Sequence, residues 1–224
     1  MSKDQPRDTQ TKVKHEILGE YLLKWGYIIS SVLNRIDHQQ ISQSKPFVMR
    51  FVYVDCFAHT GRYAPEDETG GPAYGSPIIG IECLDRIRSF ASDNAGFVPE
   101  VFSILIEERA SYFDELKETL NIKGYGPRVK ETSDFFSLQT GEIAIVRGDS
   151  QSYLNELLEF TGRNFTWSFY LLDPYGPKGI PMKMVASIIS QNHSQYYRQL
   201  CGEIVNRASS DAAKLSESLP NTRN

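Results

Sequence analysis

Four apolar segments of strand length recur along this chain, and each is followed by an acidic residue. The segments are rich in β-branched and aromatic residues, which favour strands buried on both faces. Stretches with apolar residues at three- and four-residue spacing, typical of helices, lie between them. This alternation predicts an α/β, Rossmann-like fold in which a mainly parallel sheet carries helices on both faces. The predicted strands are residues 47–54, 101–106, 142–146 and 166–172.

The longest predicted helix covers residues 14–36 and has one broad apolar face that includes Trp25. We expect this face to pack on the sheet as core. The alternative is a platform for a substrate or partner, with a polar rim of Lys12, Lys14 and His15.

The remaining helices complete one predicted domain, residues 12–208. Ser76 is expected to cap the second helix, whose first position is Pro77. Polar composition predicts a disordered N-terminus over residues 1–11 and a flexible tail over residues 209–224. The other predicted helices are residues 111–120, 152–160, 182–189 and a segment near 194–208.

Composition narrows the class of protein. The chain has 224 residues, with 24 Lys plus Arg against 28 Asp plus Glu, a net charge of -4 that argues against general coating of nucleic acid. The polar start and the lack of a long apolar run predict a cytoplasmic protein with no membrane association. Cys56, Cys83 and Cys201 are too far apart in sequence to indicate a disulfide framework or a metal site, so we expect no metal.

The acids at the strand ends predict a ligand site. Asp55, Glu107, Asp149 and Asp173 each stand at or shortly after the end of a predicted strand. Ligands of parallel α/β sheets bind outside the carboxyl ends of the strands, where the strand order switches. The alternative is that each acid is a solvated strand-end residue. We favour the ligand site because the pattern recurs at all four ends.

The turn after the first strand indicates the kind of ligand. Small residues at Ala58 and Gly61 would let the backbone approach a ligand closely, and Phe57 lies between Asp55 and this pair. No helix start follows directly, so a pyrophosphate would lack its usual dipole support. The turn therefore favours a nucleoside without a diphosphate, such as S-adenosylmethionine.

Each later acid has an expected role toward that ligand. Glu107 would accept hydrogen bonds from the ribose hydroxyls, since its two oxygens match a vicinal diol. Asp149 would accept from an adenine amino group, with help from Ser150. Asp173 and a backbone carbonyl freed by Pro174 would accept both hydrogens of a substrate amine, and Tyr175 would stack on a planar substrate. The alternative for these last three is a tight strand-to-helix turn with a core tyrosine.

A set of motifs over residues 11–181 matches one known family. The motifs are Thr11-Lys12-Val13-Lys14-His15-Glu16-Ile17-Leu18 with Tyr21, Leu22 and Trp25, then Tyr53-Val54-Asp55-Cys56-Phe57-Ala58, Gly61-Arg62-Tyr63, Gly75-Ser76-Pro77, Ile106-Glu107, Gly148-Asp149 and Asp173-Pro174-Tyr175-Gly176. By these motifs the chain resembles the three-Cys-motif partner proteins, a bacterial and phage-associated family.

The resemblance implies a class I methyltransferase-like fold and a partner protein that carries a three-cysteine motif. It also implies two sets of site residues. Asp173, Pro174 and Tyr175 would face the methyl acceptor. The cofactor site would be lined by Asp55, Phe57, Ala58, Gly61, Glu107 and Asp149.

Two features depart from this pattern. His59 stands where a glycine is expected, so its side chain would either crowd the cofactor or contact it. No strand is evident beyond Leu172, so the C-terminal strands of a methyltransferase sheet are missing from the prediction. Strand 166–172 would then lie at an open edge, which is a liability in a monomer. Three explanations are open: a truncated family member, an edge covered by a dimer or partner, or a further strand that the sequence does not reveal.

Three functions compete. The leading prediction is an S-adenosylmethionine-dependent methyltransferase acting on a nitrogen, with a nucleobase as the expected acceptor. The second is an inactive methyltransferase-like scaffold that binds the three-cysteine-motif partner. The third, a metal-dependent nuclease, ranks last. Acyl transfer by a Cys56–His59 nucleophilic pair is set aside, because no other feature indicates that chemistry.

Overall fold

The computed structural model describes residues 6–35, 48–65, 72–163, 165–174 and 180–191. In these ranges the strands are β1 (Arg50–Asp55), β2 (Arg62–Pro65), β3 (Pro72–Tyr74), β4 (Glu100–Glu107), β5 (Val129–Glu131), β6 (Ile143–Arg147) and β7 (Thr166–Leu171). The helices are α1 (Thr9–Arg35), α2 (Ser76–Asn94), α3 (Ala110–Ile122), α4 (Leu154–Thr161) and α5 (Met182–Ile189).

Five of these strands form one parallel sheet in the order β5-β6-β4-β1-β7. The α/β class and the parallel sheet with flanking helices are therefore confirmed. The chain builds outward from β1 to β4 and β6, then crosses to the other side of β1 to form β7. This reversal places a switch in strand order at β1 and β7, where such sheets hold ligands at the carboxyl ends of the strands.

The face of α1 around Trp25 packs on the sheet as core. The Trp25 ring lies 5.5 Å from the ring of Phe51 on β1 and 5.9 Å from that of Phe169 on β7. Leu22 and Ile29 on the same helix are buried. The core interpretation of this stretch is confirmed.

The other face of the sheet carries a second cluster that includes α4 and α5. Val52 and Val54 of β1 meet Leu157 and Phe160 of α4 and Met184 of α5. Alternate β1 residues therefore serve opposite faces, as the two-residue period of a strand requires.

Two predicted helix starts differ from the structure. Helix α1 begins at Thr9 instead of residue 14, because the Asp8 carboxylate caps it by accepting a hydrogen bond from the Thr11 N–H at 2.7 Å. Residues 9–11, expected to be disordered, therefore form its first turn. Helix α2 has Gly75 as its cap residue and therefore no side-chain cap, whereas the Ser76 side chain, expected to cap this helix, hydrogen-bonds to Asp55.

The sequence missed β2, β3 and β5, which are three or four residues long and largely half-exposed, so they lack an apolar run. Within the described residues β7 pairs on one side only, with β1, as the predicted open edge requires. Residue 36, the predicted helix near 194–208 and the predicted tail lie outside the described ranges.

Candidate functional site

The four predicted acids lie at one edge of the sheet. Asp55 and Glu107 are the last residues of β1 and β4, which are neighbours. Asp149 and Asp173 follow β6 and β7 by two residues. Because all four strands are parallel, their carboxyl ends meet at this edge. The acids differ in their exposure to solvent and in the groups of the chain that bind their carboxylates.

Asp55 is enclosed by its own chain. It is 1% exposed, and its carboxylate accepts hydrogen bonds from the Tyr53 hydroxyl at 3.1 Å, the Phe57 N–H at 3.2 Å and the Ser76 side chain. Burial raises the pKa of Asp55 to about 6, and the nearby charge of Asp173 contributes in the same direction. Through these three donors, Asp55 holds the turn after β1 against the start of α2.

The small residues of this turn are explained by packing. Ala58 is 1% exposed, and its N–H donates to the Ile106 carbonyl on β4 at 2.9 Å. Gly61 has a left-handed φ of 71°, and a Cβ there would lie 3.0 Å from the Cδ1 of Leu116 on α3. The Phe57 side chain packs against the core cluster. Close approach of the turn to α3 therefore accounts for the glycine without a ligand.

Glu107 joins the turns that follow β1 and β4. Its Oε2 accepts a hydrogen bond from the His59 N–H at 2.8 Å, and its Oε1 accepts one from the Arg109 N–H at 2.8 Å. The residue is 8% exposed, and burial raises its pKa. Each oxygen has a lone pair left that can accept a further hydrogen bond.

His59 adopts a backbone conformation that suits the predicted glycine. Its φ is 54°, in the left-handed region that costs an L-residue about 1–2 kcal/mol. The imidazole ring lies 4.3 Å from the ring of Tyr112 on α3, and its Nδ1 lies 3.2 Å from the Thr60 hydroxyl. The side chain therefore contacts α3 beside Glu107. Burial lowers the pKa of His59, which favours the neutral imidazole.

Asp149 and Ser150 differ in exposure. Asp149 is exposed and caps a short turn by accepting a hydrogen bond from the Gln151 N–H at 3.1 Å. Ser150 is 2% exposed, and among the described residues its hydroxyl forms no hydrogen bond of ordinary geometry. The thiol of Cys56, a weak hydrogen-bond partner, interacts with this hydroxyl. Burial raises the pKa of that thiol, so Cys56 is a poor nucleophile.

Asp173 is paired with the N-terminal part of α1. The Lys14 Nζ lies 2.8 Å from Oδ1 and 3.0 Å from Oδ2 of Asp173, and both side chains are 48% exposed. Pro174, which follows, is partly buried, whereas Tyr175 and Gly176 lie outside the described residues. The predicted acceptor residues are thus only partly placed by the structure.

The first turns of α1 contribute to the edge that holds Asp173. The His15 ring lies 5.6 Å from the ring of Tyr63, and burial lowers the pKa of His15 to about 4. Lys14 and His15 were the rim of the platform that the sequence offered as its alternative for α1. The middle of α1 is core, and its N-terminal turns lie at the same edge of the sheet as Asp173. Whether these turns bind a substrate or partner stays a prediction. Sequence reasoning gave no role to Tyr63, because a lone tyrosine in a turn carries no functional signal.

No family model matches the chain, and no match was found among curated proteins or solved structures. No described helix has both the length and the apolar character needed to cross a membrane. Within the described ranges, no group of three His, Cys, Asp or Glu side chains is arranged to hold a metal ion.

Proposed function

We propose that the chain binds S-adenosylmethionine at the carboxyl ends of β1, β4 and β6 and transfers its methyl group to a nitrogen beside Asp173. The observation that carries this proposal is the parallel order β6-β4-β1-β7, which gives four adjacent strand ends, each with an acid. Such a crevice at the switch in strand order is the usual ligand site of open α/β sheets.

In this proposal one acid supports the turn after β1, and the others contact the cofactor or the methyl acceptor. Asp55 supports the turn from inside. Glu107, tied to the His59 and Arg109 backbones, would accept the ribose hydroxyls on its remaining lone pairs. Exposed Asp149 would accept from the adenine amino group, and the hydroxyl of Ser150, which among the described residues has only the weak interaction with Cys56, would help.

Asp173 would act on the methyl acceptor. Its carboxylate is half-exposed and can accept hydrogen bonds from a substrate amine while Lys14 stays bound, because two oxygens offer about four lone-pair sites. Amine hydrogens held in this way would leave the nitrogen lone pair free to bond to the methyl group while the bond from sulfur to that methyl breaks. S-adenosylhomocysteine would then be the leaving group, and the nitrogen would lose one hydrogen as a proton. The acceptor proposed from the sequence, a nucleobase nitrogen, fits this chemistry.

The first test is a calorimetric titration with S-adenosylmethionine and S-adenosylhomocysteine. We expect binding that Asp149→Asn weakens, since an amide presents a donor as well as an acceptor to the adenine amino group. Asp134→Asn is the matched control, because Asp134 is also an exposed cap that accepts one backbone N–H, from Phe136 at 3.2 Å. A wild-type protein that binds neither compound would overturn the proposal.

The second test separates binding from transfer. In Asp173→Asn we expect cofactor binding to persist while transfer of a labelled methyl group to nucleic acid is lost. Thermal unfolding of the variant should stay close to that of the wild type, since half-exposed ion pairs contribute only about 0–1 kcal/mol.

The scaffold alternative has its own support in the structure. Asp55, Glu107 and Asp173 all have partners within the chain, so each acid also has a structural explanation. A scaffold would hold a three-cysteine-motif partner without needing cofactor. It predicts that the wild type fails to bind S-adenosylhomocysteine, which is the outcome that separates it from the methyltransferase.

A further inference from the structure

An aromatic pair is formed by residues of the two segments whose backbones Glu107 joins. The ring centroids of His59 and Tyr112 are 4.3 Å apart, with an angle of 51° between the ring planes. The Arg109 guanidinium lies 5.1 Å from the centre of the Tyr112 ring. These side chains come from the turn after β1 and from the start of α3 after β4, the two segments whose backbones Glu107 joins.

His59 occupies this place at a cost in backbone energy. Its φ of 54° lies where glycine is unstrained and most other residues are not. Non-glycine residues held in such conformations cluster at functional sites, where the surrounding structure keeps them in place. Here the surrounding structure is the hydrogen bond from the His59 N–H to Glu107 and the contact of its ring with Tyr112.

We infer that the His59–Tyr112 pair is a stacking surface for the base of the bound nucleoside and makes the site prefer a purine. The inference rests on the proposed nucleoside site, in which Glu107 holds the ribose. A sugar held by Glu107 places its base beside that carboxylate, where the pair offers aromatic surface. Stacking of a base on an aromatic side chain contributes affinity, and a purine offers more stacking area than a pyrimidine. His59 is then a ligand contact and not an obstruction.

Two variants remove the aromatic surface while preserving the backbone. His59→Gly suits the left-handed φ, so the turn should keep its conformation. Tyr112→Leu retains apolar volume without an aromatic ring, and Tyr112→Phe retains the ring. Tyr27→Leu is the matched control, because Tyr27 stacks on Phe90 at 4.2 Å in a pair formed by α1 and α2, with Phe90 near the end of α2 that is remote from Asp55.

The experiment is calorimetric titration of each protein with S-adenosylhomocysteine, adenosine and cytidine, after thermal unfolding has shown that it folds. We expect His59→Gly and Tyr112→Leu to raise the Kd for the purine ligands by about five- to one-hundred-fold. Tyr112→Phe and Tyr27→Leu should bind as the wild type does. The preference of the wild type for adenosine over cytidine should shrink in the two variants that lose a ring.

The outcomes distinguish this inference from the proposed function. Wild-type binding of S-adenosylhomocysteine that His59→Gly leaves unchanged or strengthens would overturn the stacking surface and leave the proposed function standing. Binding of adenosine but not of S-adenosylhomocysteine, with the same dependence on both rings, would support the stacking surface and overturn the proposed function. Binding of no purine ligand would overturn both.

Discussion

The Tyr53 hydroxyl donates a hydrogen bond to the Asp55 carboxylate at 3.1 Å, from two residues earlier on the same strand and the same face of the sheet. Both side chains are buried. The same hydroxyl lies 3.2 Å from the Ser76 carbonyl, so one phenol joins β1 to the start of α2. The stability and the pH response of this edge of the sheet depend on that contact.

Asp55 should make the stability of the protein fall as pH rises from about 4 to about 6. Burial raises the pKa of Asp55 to about 6 from its ordinary value of 3.8, so the folded state keeps a proton that the unfolded chain releases. The stabilisation is present below the unfolded pKa and is lost as pH rises through the folded one, on the order of 3 kcal/mol in all. The measurement is the free energy of unfolding by urea across this window, for wild type and Asp55→Asn.

The asparagine variant should lack this part of the pH dependence, whatever its absolute stability. In Tyr53→Phe the pH range over which stability falls should move to higher pH, because the hydrogen bond that is lost favours the charged carboxylate of Asp55. Parallel curves for wild type and Asp55→Asn would contradict the assignment.

Gly61→Ala should destabilise the protein more than Gly96→Ala does. Their φ values are nearly equal, 71° and 72°, so the two substitutions share a similar backbone strain of about 1–2 kcal/mol. Only at Gly61 would the new Cβ crowd a side chain, Leu116 Cδ1 at 3.0 Å, whereas nothing lies within 4 Å at Gly96. Overpacking should add about 1–3 kcal/mol, measured as the difference between the two variants in urea. Equal losses of unfolding free energy in the two variants would show that Leu116 on α3 moves aside without cost.

Ser150→Ala should leave the free energy of unfolding unchanged or raise it. The hydroxyl is buried and, within the described ranges, has no hydrogen-bond partner of ordinary geometry, so its removal relieves a desolvation cost. Thr119→Val is the contrasting variant, because the Thr119 hydroxyl donates to the carbonyls of Thr60 and Glu115 at 2.8 and 2.9 Å. That variant should lose about 1 kcal/mol. If Ser150→Ala destabilised the protein as much, the hydroxyl would have a partner in the folded chain.

The thiols of Cys56 and Cys83 should react slowly with Ellman's reagent at pH 8 in the native protein. Both are buried, and burial raises their pKa values, that of Cys83 to about 11. The measurement uses a Cys201→Ser background, with unfolded protein as the reference for full reactivity. A fast phase lost on Cys56→Ser would contradict the burial of Cys56 and restore the nucleophilic pair with His59.

Fold prediction from the sequence succeeded for elements that are continuous apolar runs. Strands β1, β4, β6 and β7 were predicted to within a few residues, because each is an apolar run ended by a polar residue. Strand β5 was missed because Val129–Glu131 extends the sheet with only three half-exposed or exposed residues. The start of α1 was misplaced because Asp8 caps it through a single local hydrogen bond.

The sequence by itself determined that an acid follows each of four apolar strands and that these strands alternate with helices. Tertiary structure alone decided which group each carboxylate binds. Asp55 accepts a hydrogen bond from Tyr53, Glu107 accepts from the backbones of His59 and Arg109, and Asp173 is paired with Lys14. The physical reason is that strand periodicity depends on near neighbours in the chain. The partner of a carboxylate depends on which segments the sheet order brings together, and Lys14 and Asp173 are 159 residues apart.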